Sequence, residues 1–237
     1  MTPSSHPQPH IGTDEAGKGD YFGPLVVAAV YADEVALERL PQAGVKDSKR
    51  ISSTARLWEL DKAVKQICPT FEVVIISPGR YNELIAEMKN LNKLLAWGHA
   101  RAIESVLEKL GQAEACGTPK VGRLKPALPE CRLAVADQFG DERFLRDSLM
   151  KRGREIELIQ QVRAETDPAV AAASTLARAA FIRALERLSA EAGIELPRGA
   201  THVVQAAREV YRKGGEELLR RVAKVHFKTT KEVVESR

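Results

Sequence analysis

Along the chain, apolar positions switch between a two-residue and a three-to-four-residue rhythm. His10 to Glu15 and Leu25 to Ala32 read as strands joined by a glycine-rich turn, AGKGDYFG, so a hairpin opens the domain. Phe71 to Ser77 is a dense β-branched run and predicts the next strand. From Tyr81 to Leu110 apolar residues recur at helical spacing: Leu84, Ile85, Met88 and Leu91, then Leu94, Leu95, Ala102, Ile103, Val106, Leu107 and Leu110. This predicts one helix or a broken pair. Arg132 to Ala136 is a short buried strand ending at Asp137, Asp141 to Arg152 is helical, and Glu155 to Ala164 is a strand ending beside Glu165. Asp167-Pro168 reads as an N-cap with proline at the first helical position, opening a helix that runs to about Ala192 before Gly193. A last helical region, Thr201 to Val225, is interrupted at Gly214-Gly215.

Strands alternating with helices make this an α/β chain. With 237 residues, 44% of them hydrophobic and 29% charged, it can bury a full core. Residues 1–10 read as a Pro-rich polar disordered tail, and residues 11–237 as one domain that includes the C-terminal helices from about 200. The longest apolar stretches, Pro24 to Ala32 and Ala169 to Ala173, fall far short of the ~20 residues of a bilayer span, which predicts no membrane association. The N-terminus has neither the basic nor the apolar region of a secretory signal, so cytoplasm is the expected compartment. Cys68, Cys116 and Cys131 lack CxxC spacing, which argues against a disulfide framework and a zinc site. A net charge of +4 is compatible with a polyanionic partner without requiring one. Gln112 to Glu130, with Pro119, Pro126, Pro129, Lys120, Arg123 and Lys125, reads as a long basic surface loop.

The candidate chemistry begins in GTDEAGKGDYFGP, Gly12 to Pro24, where Asp14 and Glu15 stand side by side at a strand end before a glycine turn. Adjacent strand residues point to opposite faces, so both approach one metal only if the strand bends or a backbone carbonyl takes part. Hard oxygen ligands select Mg²⁺ or Mn²⁺ over zinc; a solvated acidic turn is the bland alternative. The stretch nearly matches a P-loop, but Gly19 stands where the hydroxyl residue should be, and Asp14 and Glu15 would point negative charge into a triphosphate cradle. The amides of Gly17 to Gly19 can instead approach a sugar-phosphate backbone closely. Asp137 and Glu165 also end strands, where open α/β sheets place functional groups. Four carboxylates so placed form the usual constellation for two-metal phosphodiester hydrolysis. Ser174 and Arg178 share a helix face, where Arg178 could reach a phosphate or simply be solvated. His6, His10, His99, His202 and His226 show no pairing, and tail, helix-surface or core roles are expected for them. Asp141 and Asp167 read as helix N-caps.

GTDEAGKGDYFGP, VKDSK (Val45 to Lys49), NLNKLLAWGHARAI (Asn90 to Ile103), VADQF (Val135 to Phe139), AVAAASTLAR (Ala169 to Arg178) and AKVHFKTT (Ala223 to Thr230) together resemble the type 2 ribonucleases H, in order and spacing, from Ile11 onward. GDYFGP and VHFKTT resemble subclass HIII rather than HII. The resemblance implies an RNase H-like fold, a central mixed β-sheet flanked by helices, and a helical C-terminal region. It implies endonucleolytic cleavage of RNA in RNA–DNA hybrids with two Mg²⁺ or Mn²⁺ ions, leaving 5′-phosphate and 3′-hydroxyl ends, in DNA replication and repair. Asp14, Glu15 and Asp137 fall on three of the family's catalytic, metal-holding carboxylates, with Glu165 chosen for the fourth and Asp167 its alternative. Gly17, Lys18 and Gly19 would contact the 2′-hydroxyls that distinguish RNA from DNA, and Tyr21, Lys49, Ser174 and Arg178 complete the expected substrate contacts. HII-like incision at a single ribonucleotide in duplex DNA is the enzymatic alternative, and a non-catalytic hybrid-binding module the other. No protein partner is expected, and a monomer is the default. HIII proteins usually carry an N-terminal substrate-binding domain resembling the TATA-binding protein, while only ten residues precede Ile11. The basic loop Lys120 to Lys125 and the segment bearing Arg208, Arg212, Lys213, Arg220, Arg221, Lys224 and Lys228 are candidates to supply phosphate contacts instead, with a solvated amphipathic helix the alternative for the C-terminal segment.

Overall fold

In the computed structural model, residues 6–45, 53–115 and 131–235 are described, the side chains of 113–115 excepted. A five-stranded sheet has the order β3-β2-β1-β4-β5. Its strands are β1 (His10–Ala16), β2 (Leu25–Ala32), β3 (Phe71–Ile76), β4 (Leu133–Asp137) and β5 (Glu157–Gln161). The tight turn after β1 makes β1–β2 antiparallel, β3 continues the meander, and β4 and β5 return parallel to β1. The sheet is therefore mixed, with β1 at its centre. The helices are α1 (Glu34–Gln42), α2 (Thr54–Ile67), α3 (Pro78–Met88), α4 (Leu91–Ala115), α5 (Glu142–Ser148), α6 (Pro168–Ala192), α7 (Val204–Val222) and α8 (Lys228–Glu235).

The pleat assigns the residues of the sheet to two cores. Ile11 packs with Ala96, Ala100 and Ile103 of α4, whereas Ala28 and Val30 of β2 join Ala169, Ala172 and Ala173 of α6 on the other face. Helix α6 is buried along most of its first five turns because its side chains are small. At Gly12 the helix backbone meets the strand itself: a Cβ there would stand 2.1 Å from the Ala169 carbonyl carbon. Small residues on both sides convert a helix–sheet contact into a backbone contact.

The helical run from Tyr81 resolves as a broken pair, α3 and α4, because Lys89 takes a left-handed conformation (φ 53°) and the Asn90 side chain accepts from the Asn92 amide. Helices α1 and α2 were not legible in the apolar pattern; each is opened by a side-chain cap, Asp33 on the Ala36 amide and Ser53 on the Arg56 amide. The predicted strand Glu155 to Ala164 is shorter at both ends, since Gly153–Glu155 and Ala164–Thr166 form 3₁₀ turns. α5 ends at Ser148, four residues before the predicted limit at Arg152. The Gly214-Gly215 break is present as non-helical backbone inside α7, and α8 is an additional helix. His10 belongs to β1 rather than to the tail: it is fully buried, with Nε2 2.9 Å from Asp167 Oδ1. Among the described residues no helix is long and apolar enough to cross a membrane.

Candidate active site

The C-terminal ends of β1 and β4 open into a cleft of about 530 Å³ lined by Asp14, Glu15, Asp137, the turn Gly17–Asp20, and Ser174, Arg178 and Arg198. Asp137 follows Ala136, the last residue of β4 paired with β1, so the parallel register itself sets it beside Asp14.

Asp14 and Glu15 obey the alternation expected of a strand. Asp14 faces α6 and is hydrogen-bonded to Ser174, while Glu15 faces α4, where its Oε2 lies 3.1 Å from His99 Nε2. Lys18 Nζ stands 3.6 Å from Glu15 Oε1. These surroundings treat the two acids differently. Burial and then the neighbouring Glu15 charge push the Asp14 carboxyl up to about 7, against the Ser174 hydrogen bond. Burial also disfavours ionised Glu15, but His99 and Lys18 outweigh it and hold its carboxyl below the usual range.

The Ala164 amide donates to Asp137 Oδ1 at 3.1 Å, so the turn after β5 reaches back to β4. Glu165, next in that turn, is half-buried and is not among the residues lining the cleft. Asp167 is committed elsewhere: it is fully buried, caps α6 by accepting from the Ala169 and Val170 amides, and pairs with His10. It is therefore no longer an alternative to Glu165.

The glycine turn is fixed from behind by the C-terminal segment. Lys224 Nζ donates to Asp20 O at 2.8 Å and to Gly23 O at 2.7 Å, and the Gly23 amide donates to Val222 O at 2.9 Å. The Gly199 amide donates to Asp20 Oδ1 at 2.7 Å. Gly17 has φ +85°, and a Cβ there would stand 2.2 Å from Pro24 O, so glycine is required for the turn.

Three expectations need correction. Tyr21 has no exposed surface; its hydroxyl lies 3.1 Å from Thr230 Oγ1, and it is a core residue behind the turn rather than a substrate contact. Lys224 is fully buried, Lys213 Nζ donates to Ala192 O, and Arg220 and Arg221 pair with Glu216 and Glu191, so much of the C-terminal basic segment is engaged within the protein. The histidines are paired after all, His10 with Asp167 and His99 with Glu15. His99 is the site residue that sequence reasoning missed; its place on the apolar stripe of α4 was the available signal, because a buried imidazole needs a polar partner. Lys49, Lys120, Arg123, Lys125 and Cys116 lie outside the described residues.

The sequence model described as ribonuclease HII matches residues 11–230. Ribonuclease HIII of Protochlamydia amoebophila is 44% identical over 222 residues, which are 93% of this chain and 67% of that protein. Ribonuclease HIII of Chlamydia pneumoniae is 40% identical, over 95% of this chain and 70% of its own length. Among solved structures, Bst-RNase HIII in complex with Mn²⁺ superimposes with a TM-score of 0.80 at 30% identity, covering 99% of this chain and 71% of that one. The ribonuclease H2 of Pyrococcus horikoshii OT3, at 24% identity, shares the fold with a TM-score of 0.73 over 96% of this chain and 98% of its own. Motifs, strand order and relatives agree: the chain belongs to the type 2 ribonucleases H, the ribonuclease HII family, and stands with its HIII members.

Proposed function

We propose that this protein is an endonuclease that hydrolyses the RNA strand of RNA–DNA hybrids with divalent cations, Mg²⁺ or Mn²⁺, leaving 5′-phosphate and 3′-hydroxyl ends. The observation that carries this reading is the convergence of Asp14, Glu15 and Asp137 on one cleft that also presents the backbone of Gly17 to Gly19. The donor set suits a hard cation, since every ligand is a carboxylate oxygen. A cation between Asp14 and Glu15 would also relieve the repulsion that helps keep Asp14 protonated. Among the described residues no group of three His, Cys, Asp or Glu side chains stands close enough to hold an ion as it is. The solved Bst relative is a complex with Mn²⁺, which supports dependence on a divalent ion.

Asp14, Glu15 and Asp137 would hold the metal, with Glu165, adjacent to the Ala164–Asp137 contact, as the fourth carboxylate. When bound, two such ions supply activation of water and charge stabilisation at the phosphorus and leaving oxygen. Ser174 orients the Asp14 carboxylate through its hydrogen bond. Arg178 and Arg198, at the cleft wall, give cationic positions for the phosphate backbone, while the Gly17 and Gly19 amides approach the 2′-hydroxyls with no Cβ of their own in the way. Lys18 sits between Glu15 and the ring of Phe139, 5.8 Å from its centroid, where it balances the acid as well as facing substrate.

The test is cleavage, with Mg²⁺ and separately Mn²⁺, of a long RNA–DNA hybrid and of a DNA duplex carrying one ribonucleotide. The hybrid should be cut and Asp137→Asn should abolish turnover while retaining hybrid binding. Near-native turnover in Asp137→Asn would remove the site assignment, and efficient incision only beside the single ribonucleotide would replace the substrate assignment with the HII-like one.

A further inference from the structure

We infer that His99 is a positioning residue that fixes the Glu15 carboxylate in its ligating orientation, an inference that rests on reading Asp14, Glu15 and Asp137 as the metal-holding set. Helix α4 carries His99 on its buried face, and the imidazole has no exposed surface. Its orientation is determined on three sides. The ring stacks on Phe139, with centroids 4.9 Å apart and planes at 17°. Nδ1 lies 2.9 Å from Thr13 Oγ1, and the Thr13 hydroxyl donates its one proton to Ala28 O at 2.8 Å. Thr13 can therefore only accept from His99, so Nδ1 carries a hydrogen; the Glu15 carboxylate likewise only accepts, so Nε2 carries a second one and donates it to Oε2, 3.1 Å away, and the ring that bridges the two is the imidazolium.

Thr13 and Glu15 point to the same side of β1 because they are two residues apart, so one imidazole spans both. Phe139 lies two residues beyond Asp137, so the same ring joins the segment bearing Glu15 to the segment bearing Asp137. A glutamate has three rotatable side-chain bonds, and a free one would sample many orientations before an ion arrived. Here His99 holds Oε2 and Lys18 approaches Oε1, which limits that freedom before loading. Outer groups that orient a ligating side chain typically affect metal affinity by roughly 10–100-fold when removed.

The experiment compares His99→Ala, His99→Gln, Thr13→Val and Glu15→Gln in the full chain. Mn²⁺ binding is measured without substrate by calorimetry and by the electron paramagnetic resonance of free Mn²⁺. Hybrid cleavage is then measured across a Mn²⁺ series. His99→Ala should weaken Mn²⁺ binding about 10–100-fold, recover most of kcat at saturating Mn²⁺, and leave KM for the hybrid unchanged. His99→Gln places an amide donor where Nε2 was and should restore most of the affinity. Thr13→Val, which keeps the shape and removes the hydroxyl that sets the ring, should shift affinity in the same direction by less. A folded His99→Ala that binds Mn²⁺ like the parent overturns the inference; if that variant does not fold, unchanged binding by Thr13→Val overturns it instead. Glu15→Gln separates the two levels: if it binds Mn²⁺ normally the metal-site reading itself fails, whereas impaired Glu15→Gln beside normal His99→Ala removes only the role of His99.

Discussion

Gly12 and Ala169 bring strand and helix backbones into contact: a Cβ on Gly12 would lie 2.1 Å from the Ala169 carbonyl carbon and 2.2 Å from the Val170 amide nitrogen. Neither obstacle is a side chain that can rotate away. The same contact line leads along β1 and α6 from the His10–Asp167 pair to the Asp14–Ser174 hydrogen bond, so it sets the distance between the strand and the helix at the cleft.

Gly12→Ala is therefore expected to lower the melting temperature, by about 1–3 kcal/mol of stability or more, as overpacking against backbone does. Activity should fall with it, because α6 must shift and carries Ser174 and Arg178 away from Asp14. Thermal denaturation and hybrid cleavage measured on the same preparation check this; an Ala variant with native melting temperature would show that the gap can open freely.

The metal-free protein should be penalised by its own carboxylates. Asp14 has a folded value of about 7 against 3.8 for the free group, so the native state binds more protons than the unfolded state between these limits. Stability from this group is present at low pH and is lost as pH rises through about 7. Asp14→Asn, measured without metal at pH 8, should raise the melting temperature by about 5 °C or more, and the gain should vanish near pH 4. In the presence of Mg²⁺ the parent should recover the difference. A lower melting temperature for the metal-free variant at pH 8 would count against the close packing of charge at this site.

Lys224 predicts the opposite slope at higher pH. Burial lowers its ammonium to about 7, against the pull of Asp20, while the free group titrates at 10.5. The unfolded chain then binds more protons between these values, so stability rises with pH from about 7 towards 10.5. The neutral amine retains two N–H donors, enough for both Asp20 O and Gly23 O. Lys224→Met should remove this slope and leave both carbonyls without their donor, so the melting-temperature deficit of the variant should widen between pH 6.5 and pH 9.5. Parallel curves for parent and variant would show that Lys224 stays charged in the fold.

Much of the architecture was legible in local pattern. The hairpin, β3, the strand ending at Asp137 and helix α6 each combine a clear period with a turn, a cap or a helix-stopping glycine, and their limits fall close to those observed. Helices α1 and α2 were missed because their starts depend on single capping side chains, Asp33 and Ser53, and α1 contains Pro41. The strand before Glu165 was extended too far because Arg163 takes a left-handed conformation (φ 60°) that no residue type announces.

By itself the sequence determined the acids at strand ends, the glycine turn, the small-residue helix and, through their motifs, the family. These are properties of residue order, since side-chain period, backbone freedom and charge are all local. Only the tertiary structure decided which polar groups meet. His10 and Asp167 are 157 positions apart, Lys224 and Gly23 are 201 apart, and His99 meets Glu15 across 84. Such pairings follow from the crossovers that bring α4 and the C-terminal segment against β1 and its turn. The choice of partner for a buried polar group depends on what else is buried beside it, which no window along the chain contains.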